Sequence, residues 1–300
     1  MVVPPGPGGV YGILTSDPDL ARADFADFVH FVADDVSGQR RPPIDGPINA
    51  VACWGDSETV RREPERAART ANGRTATPET EGHHWGTVCP TDADYRAALL
   101  DRIETVGEVS DVRLTTPGFP GAAFCRCERC ERRFETSDHD DRVAWRTDVV
   151  STFVSEASRR VANDLLVTLY PDPYPGNLRR RAGLDPKTLA SSVDGFLVPL
   201  CGISYETTYW VESLARGFAR ELEALDVPLT VQLSAPEAGV DRLLGVTRQI
   251  EPHADRVVFG TGRGDVGTVR TVIDRRRQGG DPGTSDDAVA ESRQAAPGRP

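Results

Sequence analysis

Four cysteines in the sequence have the types and spacing of a metal site. Cys125, Cys127 and Cys130 form a C-x-C-x2-C cluster, and Cys89 lies earlier in the chain. A structural zinc ion takes four thiolates in a tetrahedron, and a tight cluster can supply several while a distant cysteine closes the site. We therefore expect these four residues to bind one structural zinc ion. The alternative of unrelated thiols on an exposed loop stays open.

Three carboxylates follow apolar runs and are candidates for acid–base or nucleophilic chemistry. Asp172 lies in a proline-rich turn, Glu206 lies in an aromatic segment, and Glu237 follows a late apolar run. Each also has a structural interpretation. Asp172 can stabilise a turn through its side chain, and the two glutamates can lie in the first turn of a helix, where the dipole favours acids.

Five aromatic residues fall at or near the ends of apolar runs. They are Trp54, Tyr170, Tyr174, Tyr205 and Trp210. Flat rings stack on sugar faces while their polar edges bind hydroxyl groups, so these positions favour a carbohydrate or another small polar ligand. We expect two or three of the five to line a cleft and the others to belong to the core.

Short apolar runs alternate with helical segments along the chain and must position these residues. The predicted strands are Val10–Leu14, Ile48–Cys53, Trp85–Val88, Val112–Thr115, Leu165–Tyr170, Phe196–Leu200, Leu229–Leu233 and Arg256–Gly260. Helices are predicted between them, including Asp19–Asp35 and Ser57–Ala71. Eight strand–helix units predict a parallel (β/α)8 TIM barrel over residues 1–277, with an open doubly wound sheet as the alternative. The polar segment 278–300 is predicted to be a disordered tail.

The composition excludes some classes of partner. There are 46 acidic and 35 basic residues, the net charge is -11, and Lys187 is the one lysine. This acidic balance is typical of proteins that work in concentrated salt, although a high-GC genome also favours arginine. It argues against nucleic acid as a partner. No apolar run is long enough for a membrane span, and the absence of a secretory signal predicts a cytoplasmic protein whose cysteines are metal ligands or free thiols.

One part of the chain resembles glycoside hydrolase family 42. The resemblance runs from Val88 to Trp145, about a fifth of the chain, and rests on Cys89-Pro90, Tyr95-Arg96 and Phe124-Cys-Arg-Cys-Glu-Arg-Cys130 followed by Phe134. It implies a barrel whose third and fourth strand loops hold a four-cysteine zinc ion. It also implies catalytic acids after strands four and seven, the former a glutamate preceded by asparagine. Here Thr115 and Thr116 occupy the strand-four position, so that acid is not carried over.

A second resemblance concerns a group of barrel proteins from salt-loving archaea. It rests on two segments, Thr168-Leu-Tyr-Pro-Asp-Pro-Tyr-Pro-Gly176 and Thr207-Thr-Tyr-Trp210. This resemblance implies the same fold and a saline habitat, and it implies no activity.

Together these features support two functional hypotheses. The first is a glycoside-hydrolase-like barrel that cleaves a glycoside with Asp172, Glu206 and Glu237. The second is a carbohydrate-binding or regulatory barrel that has lost the family's acid. A third, a phosphate-binding isomerase or aldolase, draws on the glycine-rich loop Gly260–Gly264 but lacks a lysine at a strand end.

Overall fold

The structure is a computed structural model that describes residues 10–172, 174–201, 209–235 and 239–278. Eight parallel strands form a closed barrel in chain order, which confirms the predicted (β/α)8 architecture. The strands are β1 (Val10–Thr15), β2 (Phe28–Val32), β3 (Ile48–Ala52), β4 (Val112–Thr115), β5 (Leu165–Thr168), β6 (Gly195–Pro199), β7 (Leu229–Ser234) and β8 (Arg256–Gly260). The predicted tail falls outside the described residues from position 279 onward.

Helices surround the barrel from β3 onward. They are α1 (Ser57–Arg62), α2 (Ala93–Gly107), α3 (Glu128–Glu135), α4 (Arg142–Arg160), α5 (Asn177–Ala182), α6 (Pro186–Leu189), α7 (Tyr209–Leu222), α8 (Val240–Ile250) and α9 (Val266–Arg277). Aspartates cap several of them, as at Asp141, whose carboxylate accepts from two backbone N–H groups at the start of α4. Within the described ranges, no helix is both long and apolar enough to cross a membrane.

The predicted helix Asp19–Asp35 is wrong. The segment contains a single 3-10 turn, Leu20–Arg22, and then strand β2. Its apolar residues also fit a helical period, but Phe28–Val32 is entirely aromatic or β-branched apart from His30. Pairing with β1 and β3 therefore decides the conformation.

The predicted third strand, Trp85–Val88, is also wrong. It makes only isolated antiparallel bridges, from Thr87 to Gly55 and from Val88 to Ala67, and it lies outside the barrel. The predicted count of eight strands is right because this error offsets the missed β2. The predicted helix Ser57–Ala71 ends early, at Arg62, because the proline at position 64 cannot continue it.

Side chains alternate between the two faces of the barrel wall. On β4, Val112 and Leu114 belong to the main hydrophobic core between the strands and the helices. Arg113 and Thr115 have the opposite parity and face the barrel axis. The register extends this inner face to its neighbours, since Ala50 pairs with Arg113 and Ala52 pairs with Thr115.

Candidate functional site

The four predicted metal ligands lie together. The Sγ atoms of Cys89, Cys125, Cys127 and Cys130 are all within 4.8 Å of one another. Cys89 Sγ is 3.5 Å from Cys127 Sγ and 3.4 Å from Cys130 Sγ. Sulfurs around a tetrahedral zinc ion, at Zn–S distances of about 2.3 Å, are about 3.8 Å apart, whereas a disulfide joins sulfurs about 2.05 Å apart. The four cysteines are therefore close enough to bind a metal ion.

Two connections on one side of the barrel supply these cysteines. Cys89 precedes α2, and the other three lie between β4 and the first turn of α3. Cys127 is the N-cap of α3, where the helix dipole stabilises a thiolate. The pKa of the Cys127 thiol lies well below its usual value because the thiol of Cys125, followed by those of Cys130 and Cys89, hydrogen-bonds to it. Metal ligation requires the same deprotonated form.

Polar groups around the cysteines orient the sulfurs. The backbone N–H of Arg69 donates to Cys125 Sγ at 3.3 Å. The hydroxyl of Thr91 lies 3.2 Å from the sulfurs of both Cys89 and Cys130. Such outer partners fix ligand geometry in metal sites. The donor set, its burial and its hydrogen bonds all fit a structural metal that joins the connections after β3 and β4.

The remaining two cysteines differ from this cluster. Cys53 is buried in the core, and burial raises the pKa of its thiol. Cys201 lies just beyond β6, where its sulfur accepts from Gln232 Nε2 at 3.2 Å. Neither lies with the four clustered sulfurs.

Three carboxylates at strand ends are already held by neighbouring side chains. The pairs are Asp17 with Arg263, Asp34 with Arg102, and Asp56 with both Thr59 and Tyr95. Asp34 and Asp56 are buried, and Asp56 also caps α1. These contacts give each of the three carboxylates a structural role.

The predicted catalytic residue Asp172 lies at the edge of the barrel mouth and forms an Asx turn. Its Oδ1 accepts from the backbone N–H of Tyr174 at 2.9 Å and from Asn177 Nδ2 at 3.5 Å. Arg181 lies 3.6 Å away but is largely exposed. Asp172 also lines a cavity of about 370 Å³ beside the loop that follows β4. The other two predicted catalytic residues, Glu206 and Glu237, lie outside the described residues.

Threonines form the end of β4. Thr115 Oγ1 lies 3.4 Å from the carbonyl of Val51. Thr116 has a left-handed backbone with φ of 49°, a rare conformation for a β-branched residue, and its hydroxyl accepts from the Gly55 N–H at 3.1 Å. These contacts tie the ends of β3 and β4 together and leave this position without an acid.

The predicted aromatic residues divide between core and surface. Trp54 is 1% exposed, packs against Phe153 and donates its indole N–H to the carbonyl of Pro117, so its ring belongs to the core. Tyr170 is half-buried just beyond β5, and burial raises its pKa to about 12. Tyr174 and Trp210 are 72% and 58% exposed. Tyr205 lies outside the described residues.

A ring of partly exposed inner-face residues at the carboxyl end of the barrel, called the well below, is the feature that sequence reasoning missed. Inner-face residues at this end are partly exposed, while their outward-facing neighbours are buried. The residues that line it are Leu14, Val32, Thr115, Thr168, Tyr170, Pro199, Cys201, Gln232, Ser234 and Gly260. Barrel interiors are usually filled by bulky branched side chains. Here several of these residues are small or polar and all are partly exposed, and strand parity is the signal that identifies them.

Two buried polar side chains lie one layer deeper. Arg113 is 3% exposed, and its Nε and Nη1 are buried with no hydrogen-bond partner. Burial lowers its pKa to about 10. His30 is fully buried, both ring nitrogens are without partners, and burial holds its pKa well below the usual value, with further lowering by Arg113 and Arg256. The floor of the well thus combines a charged guanidinium with a neutral imidazole.

Solved structures with a similar fold include enzymes that are named for an activity on carbohydrate. An α-L-fucosidase from Paenibacillus thiaminolyticus matches 84% of this chain with a TM-score of 0.59 and 10% identity, and the chain spans 44% of that enzyme. The catalytic domain of a β-amylase from Paenibacillus polymyxa matches 89% of the chain and 97% of its own length, with a TM-score of 0.51 and 9% identity. An endo-β-1,4-mannanase from Thermotoga petrophila matches 92% of the chain and 78% of its own length, with a TM-score of 0.50 and 12% identity.

These similarities show that the chain has a (β/α)8 barrel fold like the barrels of these enzymes. No family model and no curated protein sequence matches the chain. Membership of glycoside hydrolase family 42, or of the group from salt-loving archaea, therefore stays a prediction from the sequence.

Proposed function

We propose that this barrel binds a carbohydrate at its carboxyl-end mouth. The observation that supports this proposal most strongly is the position of the exposed aromatic rings. Among the described residues, the large hydrophobic side chains that are exposed are Tyr174, Tyr209 and Trp210. All three follow β5 or β6 on the carboxyl side of the barrel, the side on which TIM barrels bind ligands. Exposed rings at such a position suit stacking on a sugar.

The well beside these rings supports the same proposal. Its hydroxyl and amide groups, from Thr115, Thr168, Gln232 and Ser234, are the types that bind sugar hydroxyls. Each of the three similar structures is named for an activity on carbohydrate. A sugar ring at the mouth would therefore meet aromatic faces on one side and polar groups within the well.

Hydrolysis of a glycoside is the second candidate function. Hydrolysis requires two carboxyl groups that face the scissile bond. The names of the similar structures favour this candidate, and the threonines at the end of β4 oppose it. Because the Asx turn engages Asp172, we assign the two roles to Glu206 and Glu237 and make Asp172 a positioning residue for the loop.

The cysteine cluster is proposed to hold a structural zinc ion. Four thiolates are the donor set of structural zinc sites, which need no open coordination position. The cluster lies beside the β3 and β4 connections, so the ion would stabilise the wall of the mouth without taking part in ligand binding.

A panel of free sugars and aryl glycosides, tested in molar potassium chloride, examines both candidates. We expect at least one sugar to bind, and we expect Tyr174→Ala and Trp210→Ala to weaken that binding several-fold. Thr105→Ala, on the exposed face of α2, is the control and should bind as wild type. Turnover that is lost in both Glu206→Gln and Glu237→Gln would favour hydrolysis. Binding without turnover would favour a binding protein, and a panel with neither contradicts the proposal.

A further inference from the structure

The floor of the well contains a buried positive charge without a counter-ion. Arg113 is almost fully buried, and its Nε and Nη1 have no hydrogen-bond partner among the described residues. Its neighbours in register on the inner face are Ala50 and Leu166, which carry no polar group. A buried ion without a partner is strongly unfavourable.

The other buried arginine of the described residues, Arg146, uses both of its Nη atoms in hydrogen bonds, although its Nε has no partner. Arg146 donates to the carbonyls of Gly121, Arg180 and Arg181 at 2.8, 3.0 and 2.8 Å. It thereby ties the loop after β4 to the end of α5. No comparable structural task is visible for Arg113, whose side chain faces the barrel axis rather than a loop.

Nearby polar residues do not neutralise Arg113. Burial keeps His30 neutral, and a neutral imidazole carries no charge that could balance a guanidinium. Thr168 Oγ1, also on the inner face, is buried without a partner. Below the mouth, Arg113 is therefore a cation with buried N–H donors that lack partners, an arrangement that favours an anion.

The guanidinium is also within reach of the mouth. Thr115 lies two residues further along β4 on the same face, about 6.6 Å higher, and is partly exposed. Cys201 belongs to the rim of the well beyond β6, yet its thiol lies near enough to raise the pKa of Arg113 against the larger effect of burial. The partly exposed Thr115 therefore lies one inner-face layer above this cation.

We propose that the ligand of the well carries an anionic group, and that Arg113 binds this group. The inference rests on the proposed carbohydrate function and narrows it to acidic sugars, which carry a carboxylate or a phosphate. Arginine recognises both groups through charge-assisted hydrogen bonds. The aromatic rings at the mouth would contact the sugar ring while the acid group points inward.

Isothermal titration calorimetry with matched neutral and acidic ligands tests the proposal. D-glucuronate and D-glucose differ by one carboxylate and test recognition of a carboxylate. Glucose 6-phosphate and inorganic phosphate test recognition of a phosphate, with and without a sugar. At constant chloride, we expect wild type to bind at least one acidic ligand tenfold or more tightly than D-glucose. In Arg113→Met, this preference should fall to less than threefold. Arg133→Met, which removes an exposed charge from α3, is the control and should keep the preference.

The outcomes separate the two proposals. Equal binding of neutral and acidic sugars, unchanged in Arg113→Met, overturns the anionic assignment and leaves carbohydrate binding intact. Inorganic phosphate that binds through Arg113 while no sugar binds supports the anion site and contradicts the carbohydrate function. If neither the carboxylate ligand nor the phosphate ligands show binding that depends on Arg113, the assignment is overturned. If Arg113→Met does not fold, the wild-type preference and Arg113→Lys, expected to bind acids more weakly, still decide it.

Discussion

Arg113 of β4 lies opposite Ala50 of β3 in the parallel pairing of the two strands, on the inner face of the barrel. A guanidinium thus stands beside a methyl group, and Leu166 flanks its other side. Such neighbours neither pair with the charge nor hydrogen-bond to it. In the free protein, Arg113 therefore contributes little to stability.

The first prediction compares two buried arginines. Arg113→Met removes an unpaired buried charge and is expected to leave the free energy of unfolding within about 1 kcal/mol of wild type, or to raise it. Arg146→Met leaves the carbonyls of Gly121, Arg180 and Arg181 without their donor and is expected to lower it by about 3 kcal/mol. Urea unfolding at fixed salt measures both. A large loss of stability in Arg113→Met would mean that its charge is paired within the fold.

The second prediction concerns the four clustered cysteines. Elemental analysis of the purified protein should give about one zinc ion per chain. Cys127→Ser is expected to lose the metal and to melt at a lower temperature, because ligand binding free energy is part of folding free energy at such sites. Cys201→Ser, outside the cluster, is the matched control and should retain the metal. Metal-free wild type with the same melting temperature after chelation would refute a structural zinc ion.

The third prediction is a loss of stability at alkaline pH. Burial, followed by the hydrogen bond to Glu251, raises the pKa of Tyr11 to about 12, against about 10 in an unfolded chain. The stabilisation is complete below pH 10 and is lost as the pH rises from 10 to 12, because the unfolded chain releases its phenol proton first. Tyr11→Phe should make this decline shallower in urea titrations. A decline as steep as in wild type would assign the effect to other groups.

The fourth prediction separates the two interpretations of Asp172. Asp172→Asn keeps the oxygen that accepts from the Tyr174 N–H, so stability and any turnover should both be retained. Asp172→Ala removes that acceptor and should lower the free energy of unfolding by about 1 kcal/mol. Abolished turnover in a stable Asp172→Asn variant would instead show that the carboxylate acts in catalysis.

Local spacing made the barrel and the cysteine cluster predictable. Three of the four predicted metal ligands lie within six consecutive residues, and the adjacent connections of a barrel bring Cys89 to them. Strand β2 was not predictable in the same way. Its apolar residues fit both periods, and only pairing with β1 and β3 selects the strand.

The floor of the well was hidden for a related physical reason. Arg113 interrupts the short strand Val112–Thr115, and a charge in a strand covered on both faces contradicts the usual apolar pattern. His30 lies in a segment that was predicted to be a helix. A helix prediction does not indicate which side chains of a strand face the barrel axis, so the sequence did not place His30 in the interior. Inner and outer faces become distinct only when the register of neighbouring strands is known.

Filling the well tests the central claim most directly. Thr115→Trp places an indole in the upper interior, and Thr105→Trp places the same group on the exposed surface of α2. Isothermal titration with a sugar that wild type binds should show no binding to Thr115→Trp and unchanged binding to Thr105→Trp, both with native circular dichroism. A folded Thr115→Trp protein that binds the sugar as wild type does would place the ligand elsewhere and contradict the account.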